Sequence, residues 1–385
     1  MEYLVNRKVK DIEISGIRRF FNMVADTPDM ISLTIGQPDF PTPLHIKEAA
    51  KRAIDENITS YTHNAGILSL RKAAADFYQT KYHLQYNPDT EVIITTGASE
   101  AIDIAFRTIL SEGTEVILPG PVYPGYEPII RLCGATPVYI DIREHQFRLT
   151  ADLIKPHLTD KTRCIVLPYP SNPTGVSLKE DELKEIADLL VERDIFILAD
   201  EIYSELSFER PHVSIATFAK ENTIVINGLS KSHSMTGWRI GMLFAPENIA
   251  KHMLKVHQYN VTCASSISQM AALAALTTGI DDAIPMKHEY MQRRDYVYHR
   301  LVTMGLDVIK PDGAFYFFIK IPFTSMNSLE FALSLVKAEK VAVIPGSAFS
   351  ELGEGYFRLS FAYSLETLTE GLNRLEKYLL NQDRP

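Results

Sequence analysis

The stretch TIVINGLSKSHSMTGWRIG, residues 223–241, changes character abruptly near its middle. It opens with a short run rich in Ile and Val, which is typical of a buried strand. Ser230 and Lys231 follow this run at once, and Arg239 comes eight residues after the lysine, among small residues and hydroxyls. The strand would therefore end by delivering a hydroxyl, an amine and a guanidinium to one place, with little bulk between them.

The same alternation of short apolar runs and amphipathic helical patterns extends from about residue 90 to residue 245. The further apolar runs that we interpret as strands are EVIITTG (91–97), EVILPG (115–120), TRCIVLPYP (162–170), IFILADEIY (195–203) and GMLFAP (241–246). The pattern ASEAIDIAFRTIL, directly after the first of them, predicts a helix. This alternation predicts an α/β domain with a mostly parallel sheet, although the last run could lie antiparallel.

The C-terminal part of the chain has a different pattern. Residues 282–305 predict one long helix, and the short runs AFYFFIK, VAVIPG and YFRLSFAYS follow it before a final amphipathic helix. This order is typical of an α+β module, with which the first 45 or so residues could pack. We therefore predict a large domain over 46–281 and a small domain made of 1–45 and 282–385.

Composition limits the classes of function. The chain has 385 residues, 46% of them hydrophobic, which is enough for a large core in two lobes. A net charge of -9 with no basic patch argues against a nucleic-acid partner. Cys133, Cys164 and Cys263 lie far apart without metal-ligand spacing, so we predict core cysteines and no metal site. No run reaches the ~18 apolar residues of a membrane helix, and the charged start MEYLVNRKVK lacks a signal-peptide pattern, so we expect a cytoplasmic protein with no membrane partner.

Five consecutive predicted strands are followed, where they end, by glycine, aromatic, amide, carboxylate, hydroxyl or amine groups. In chain order they are Gly97, Ala98 and Ser99, then Tyr123, then Asn172, then Asp200 and Tyr203, then Ser230 and Lys231. Since the carboxyl ends of parallel strands meet at one edge of a sheet, we expect these groups to form one site there.

Each of these groups suggests a chemical role. The Gly97-Ala98-Ser99 segment opens a helix, and helix N-terminal N–H groups bind phosphate. Ser230 and Arg239 can reach the same anion from another side. Asp200 follows an apolar run, so its ionised form needs a partner such as a protonated ring nitrogen, and Lys231 supplies an amine able to form a Schiff base. Phosphate, protonated pyridine and Schiff base together describe pyridoxal 5'-phosphate (PLP).

The chain resembles the class I/II aminotransferases of PLP fold type I nearly from end to end. SKSHSMTGWRIG (230–241) is similar to the lysine-site signature of that family. The other segments that resemble family motifs, in the family's order, are IGQPDF (35–40), YTHNAGILSLR (61–71), PGPVYPGY (119–126), YPSNPTG (169–175), DEIYSEL (200–206) and YFRLSFA (356–362). The resemblance implies an α/β fold, with a mostly parallel seven-stranded sheet in the large domain and a smaller α+β domain.

The resemblance also implies roles around the cofactor. Lys231 would carry it and then move a proton between the substrate Cα and the cofactor. Asp200 would keep the pyridine nitrogen protonated, while Tyr203 and Asn172 would hydrogen-bond the ring's phenolic oxygen. Tyr123 would stack on the ring.

Three further residues are implied at the edges of the site. Arg358 lies in an otherwise apolar strand, where a guanidinium calls for a bidentate anion, and the resemblance makes that anion the substrate α-carboxylate. The backbone N–H of Gly36 would contact the same carboxylate. Tyr61 would reach the cofactor phosphate of a second subunit, which implies a homodimer with shared sites. The resemblance also suggests cis peptides near Gly120–Pro121 and Asn172–Pro173.

The predicted reaction is transfer of an amino group from an L-amino acid to a 2-oxo acid such as 2-oxoglutarate, by a ping-pong mechanism. The alternatives are an elimination on the same scaffold, such as a carbon–sulfur lyase, and more remotely a PLP-sensing transcription regulator, which carries a DNA-binding module before this fold. Arg18 and Arg19 could meet a distal acid of the substrate or be surface charges. The helix start at Gly97 lacks the lysine of some aspartate-specific relatives, so the side-chain specificity stays open.

Overall fold

The computed structural model describes residues 1–323 and 325–382. Numbered in chain order, the strands β1 to β12 are Ile31–Ser32, Val92–Thr95, Glu115–Gly120, Thr136–Asp141, Thr162–Leu167, Phe196–Asp200, Thr223–Gly228, Gly241–Phe244, Tyr316–Lys320, Val341–Ala342, Ile344–Pro345 and Tyr356–Ser360. The helices α1 to α15 are Arg7–Lys10, Gly16–Val24, Leu44–Asp55, Leu68–Tyr82, Ala98–Ile109, Tyr126–Leu132, Ala151–Ile154, Glu180–Leu190, Ala216–Ala219, Leu229–Ser232, Glu247–Val261, Ser266–Leu276, Ala283–Thr303, Ser328–Glu339 and Leu365–Leu380.

The central sheet has seven strands in the order β2-β8-β7-β6-β5-β3-β4. β8 is antiparallel to both of its neighbours, and the remaining pairs are parallel. The predicted α/β class with a mostly parallel seven-stranded sheet is therefore confirmed, and GMLFAP is the strand that runs the other way.

The strand β4 was absent from the runs that the sequence pattern picked out. It is an edge strand, paired only with β3. Of its six residues only Ile140 is buried, and Pro137 interrupts the run. A half-exposed edge strand that contains proline lacks the apolar signal of the inner strands.

The inner strands are apolar throughout because both faces of the sheet are covered. Along β6, Ile197 faces one apolar core while Leu198 faces the other, and Ile165 and Val166 of β5 divide in the same way. Each such side chain, fully buried, contributes about 1.5–3 kcal/mol to folding. This double burial fixes the sheet and hence the positions of the residues at its carboxyl edge.

The rest of the chain forms two smaller sheets. The strands β11, β12 and β9 make an antiparallel sheet of three. The strand β1 pairs in parallel with β10, with Ile31 opposite Val341. Ile31 and Ser32 thus pair with the C-terminal part of the chain, while the division into two domains, with boundaries at 45 and 281, stays a prediction. Among the helices of the described residues, none is long and apolar enough to cross a bilayer.

Candidate active site

A cavity of about 430 Å³ lies at the carboxyl edge of the central sheet. It is bounded on the opposite side by residues of α2, β9 and β12. The residues predicted for the site that line this cavity are Gly36, Ala98, Ser99, Tyr123, Asn172, Asp200, Tyr203, Ser230, Lys231, Arg239 and Arg358. The structure therefore brings together side chains that are spread over more than three hundred positions of the chain.

Lys231 stands just beyond β7, on the short helix α10. Its Nζ donates a hydrogen bond to the backbone carbonyl of Gly36 and lies 5.6 Å from the centre of the Tyr203 ring. Burial, reinforced by the charges of Arg358 and Arg239, lowers the pKa of Lys231 to about 8. A neutral amine, which a nucleophile or a proton acceptor needs, is therefore accessible close to neutral pH.

Asp200 ends β6 and is buried. Its Oδ2 accepts a 2.6 Å hydrogen bond from the Tyr126 hydroxyl, and its Oδ1 accepts a 3.3 Å bond from the N–H of Ile202. Burial raises the pKa of Asp200, because the charged form is poorly solvated there. A cationic group placed beside this carboxylate in the cavity would offset that cost. Tyr126 was missed at the sequence level, although it ends the motif PGPVYPGY.

One end of the cavity suits an anion. Gly97, with φ of +80°, is the N-cap of α5, so the N–H groups of Ala98 and Ser99 precede the first intrahelical bond. The guanidinium of Arg239 lies against Gly97, in the space that a Cβ would occupy. Arg239 donates to the Thr236 carbonyl at 3.0 Å and forms no ion pair within the described part of the chain. Gly97 does not itself line the cavity, but its lack of a side chain leaves room for the guanidinium of Arg239.

A buried cation, in contrast to the exposed Arg239, lies among the other residues that line the cavity. Arg358, in β12, donates through Nη1 to Asn172 Oδ1 at 2.8 Å and through Nη2 to the Thr34 carbonyl. Its Nε is buried without a partner, and no carboxylate of the described residues forms an ion pair with it. The rings of Tyr316 and Phe349 cover the guanidinium, with their centres 4.4 Å and 5.0 Å from Cζ. A buried guanidinium with neutral partners alone favours an anionic ligand.

Tyr316 is the second residue that sequence reasoning missed. Its hydroxyl lies 2.7 Å from that of Tyr203 and so ties β9 to the end of β6. The same hydroxyl lies against Gly36, where any side chain would collide with it. Nothing in the run AFYFFIK distinguishes this tyrosine from its apolar neighbours, because its partners lie in other segments.

Tyr61 alone among the predicted site residues lies away from the cavity. Its side chain is 85% exposed on the surface of this chain. The predicted contact with a second subunit is consistent with that position but remains a prediction. The bonds Gly120–Pro121 and Asn172–Pro173 are cis, and so is Tyr169–Pro170.

The family profile, the related sequences and the similar solved structures all indicate the same protein family. The profile of the aminotransferase class I and II family matches residues 28–375. The chain is 64% identical over 382 residues to the probable N-acetyl-LL-diaminopimelate aminotransferase of Bacillus subtilis, covering 99% of this chain and 97% of that protein. It is 41% identical to an aspartate aminotransferase of Pyrococcus abyssi, over 95% of each chain. The crystal structure of an aromatic aminotransferase from Pyrococcus horikoshii OT3 superposes with a TM-score of 0.89 at 40% identity, covering 94% of this chain and 98% of that one.

Proposed function

Because this chain belongs to the aminotransferase class I and II family, and is therefore an aminotransferase, we propose that it works with PLP in the cavity described above. The observation that carries the proposal is the set of groups that line that cavity. An anion-binding end at α5 and Arg239, an amine on Lys231 and a buried carboxylate on Asp200 match the phosphate, the aldehyde and the ring nitrogen of PLP.

The residues present fit the cofactor at each of these points. The N–H groups of Ala98 and Ser99, the hydroxyl of Ser230 and the guanidinium of Arg239 would hold the phosphate. Asp200 would face the ring nitrogen, held in place by Tyr126. The three residues proposed around the ring are Tyr123 against its face, and Asn172 and Tyr203 at its phenolic oxygen.

When bound, PLP supplies a ring that accepts electrons from the substrate Cα. With the cofactor bound, Lys231 would accept the proton from Cα and would return it to the cofactor carbon C4′, and the first of these transfers requires a neutral amine. Its lowered pKa, about 8, meets that requirement. Asp200, when ionised, would keep a proton on the ring nitrogen and so maintain the ring's positive charge.

Arg358 would bind the substrate α-carboxylate and so fix which bond at Cα faces the Lys231 amine. Its free Nε supports this role, because the guanidinium has unused donors inside the site. Gly36, whose carbonyl accepts from Lys231, would contribute its N–H to the same carboxylate.

We propose N-acetyl-L,L-diaminopimelate, paired with 2-oxoglutarate, as the substrate to test first, which would give the enzyme a place in lysine biosynthesis. The support is the 64% identity to a protein with that probable activity. At about 41% identity the named donor is already different, since the Pyrococcus abyssi protein is an aspartate aminotransferase.

A panel of amino donors with 2-oxoglutarate tests this assignment. We expect glutamate to form from N-acetyl-L,L-diaminopimelate with a kcat/KM at least about tenfold above that for aspartate, phenylalanine or tyrosine, which is a difference of about 1.4 kcal/mol in the transition state. A higher value for any of those three donors would contradict the assignment. Release of pyruvate and ammonia from cystathionine without an oxo acid would instead favour a carbon–sulfur lyase.

We also propose a cytoplasmic homodimer in which Tyr61 contacts the cofactor phosphate of the second subunit. The support is an aromatic side chain, 85% exposed, on a loop whose backbone is firmly tied down. Buried Gln269 accepts from the N–H of Ile67 at 2.8 Å and donates to the Thr62 hydroxyl at 2.9 Å. The loop thus presents Tyr61 outward at a fixed place.

For Tyr61→Phe we expect PLP affinity to fall about tenfold or more, because one hydrogen bond to a charged group is worth about 1.5–3 kcal/mol. Titration of the apoenzyme with PLP measures this loss, and sedimentation should show the same dimer as in the wild type. Tyr259→Phe is the matched control, since Tyr259 is 87% exposed and is not part of the proposed site. An unchanged PLP affinity in Tyr61→Phe would remove this residue from the site.

A further inference from the structure

A buried histidine–glutamate pair joins α11 to α5, the helix whose first residues line the cavity. His257, on α11, is fully buried, and Glu100, in the first turn of α5, is 8% exposed. His257 Nδ1 lies 2.8 Å from Glu100 Oε1, and His257 Nε2 lies 2.9 Å from the backbone carbonyl oxygen of Asn64. Neither residue lines the cavity, and neither was singled out from the sequence.

The two contacts of His257 determine how many protons the pair holds. A carbonyl oxygen can only accept a hydrogen bond, so Nε2 must carry a proton. The contact between Nδ1 and Glu100 needs a second proton, either on the imidazole or on the carboxyl group. Two protons on these groups leave the pair without net charge, whereas a neutral histidine beside an ionised glutamate would carry one negative charge.

A negative charge on Glu100 would lie at the N-terminus of α5, where it would weaken anion binding. Its second oxygen, Oε2, accepts a hydrogen bond from the N–H of Thr96, so the carboxylate folds back over the N-terminus of α5. The neighbouring acidic residue on this helix, Asp103, already forms an ion pair with Arg107 at 2.8 Å and accepts a hydrogen bond from Asn260 at 3.2 Å. An uncompensated Glu100 would therefore be the negative charge that acts on an anion bound at this helix end.

We propose that His257 is a positioning residue for cofactor binding, which neutralises Glu100 and so preserves the affinity of the α5 N-terminus for phosphate. This inference rests on the proposed function, because it takes the phosphate of PLP as the anion. His257 also holds the backbone of Asn64, which lies three residues after Tyr61. The side chain of Asn64 donates a hydrogen bond to the Thr262 carbonyl at 2.8 Å. The imidazole of His257 thus contacts both α5, through Glu100, and the loop that carries Tyr61, through Asn64.

The test is a double-mutant cycle with His257→Gln, Glu100→Gln and the combined variant. In His257→Gln the Glu100 carboxylate loses its compensating proton, and we expect the PLP dissociation constant of the apoenzyme to rise about tenfold, or about 1.4 kcal/mol. Glutamine at 100 has no charge and can still accept from Thr96, so Glu100→Gln alone should bind PLP at least as tightly as the wild type. The combined variant should regain the wild-type affinity to within about threefold.

Two further measurements separate a charge effect from simple structural damage. Pyridoxal, which lacks the phosphate, should bind all four proteins equally. The inhibition constant of inorganic phosphate against PLP should be about tenfold higher in His257→Gln than in the wild type. Circular dichroism and thermal melting verify that each variant folds.

Any of three results would overturn the inference. The first is an equal loss of pyridoxal and PLP affinity in His257→Gln, and the second is a combined variant that binds PLP no more tightly than His257→Gln. The third is an unchanged PLP affinity in His257→Gln, with normal binding by the wild type, which would leave the proposed function intact. Failure of the wild type itself to bind PLP would reject the proposed function and this inference together.

Discussion

Replacement of Lys231 by alanine is expected to lower kcat for transamination by about 10⁴-fold or more, while PLP still binds. In the proposed mechanism the Lys231 amine moves the proton at Cα, and general acid–base catalysis alone contributes about 10²–10⁴-fold. The anion-binding end and Asp200 do not depend on Lys231, so cofactor binding should survive with weaker affinity. Steady-state rates and the absorbance of bound PLP measure the two effects separately.

Two controls sharpen this expectation. Borohydride treatment of the wild type should fix the cofactor to the peptide that contains Lys231, and the alanine variant should yield no labelled peptide. Lys184→Ala, at an exposed position of α8, should behave as the wild type in both assays. Activity of the Lys231→Ala variant within about tenfold of the wild type would show that another group moves the proton.

Replacement of Arg358 by alanine is expected to lower kcat/KM for the amino acid by about 10³-fold, with the cofactor absorbance unchanged. Loss of one partner from a buried, hydrogen-bonded charge pair costs about 2–5 kcal/mol, and 10³-fold corresponds to about 4 kcal/mol. The variant also leaves Asn172 Oδ1 and the Thr34 carbonyl without their donor. Half-reactions with amino acid and with oxo acid, followed by absorbance at rising substrate concentration, measure the loss.

The outcome distinguishes a substrate contact from a structural one. If Arg358 binds the α-carboxylate, amines that lack a carboxylate should lose almost nothing in the variant. Arg52→Ala, at an exposed position near the end of α3, is the matched control and should leave all rates unchanged. Loss of cofactor absorbance in Arg358→Ala, instead of loss of amino-acid use, would mean that the arginine supports the fold of the site.

Much of the site could be predicted because it follows from local patterns. Each inner strand is a short apolar run, since both of its faces are buried, and each ends in a polar group. Once the sheet is taken as parallel, the positions of Asn172, Asp200 and Lys231 at one edge follow from topology. The resemblance to the family then gave Tyr123 and Tyr203 their expected roles and added Arg358, and all three line the cavity.

What the pattern missed depends on partners that are distant in the chain. Tyr126 meets Asp200 across 74 positions, Tyr316 meets Tyr203 across 113, and His257 meets Glu100 across 157. Each of these residues, in its own segment, is indistinguishable from an ordinary packing tyrosine or a surface polar group.

The amino-acid sequence by itself determined the order of the elements, the parallel sheet and the chemistry delivered at its edge, because hydrophobic periodicity and turn chemistry are local properties. The tertiary structure alone decided the direction of β8, the edge strand β4 and the pairing of buried polar groups. A polar group that is buried without a hydrogen-bond partner destabilises the fold. The packing of whole helices and strands decides which two polar groups are buried next to each other.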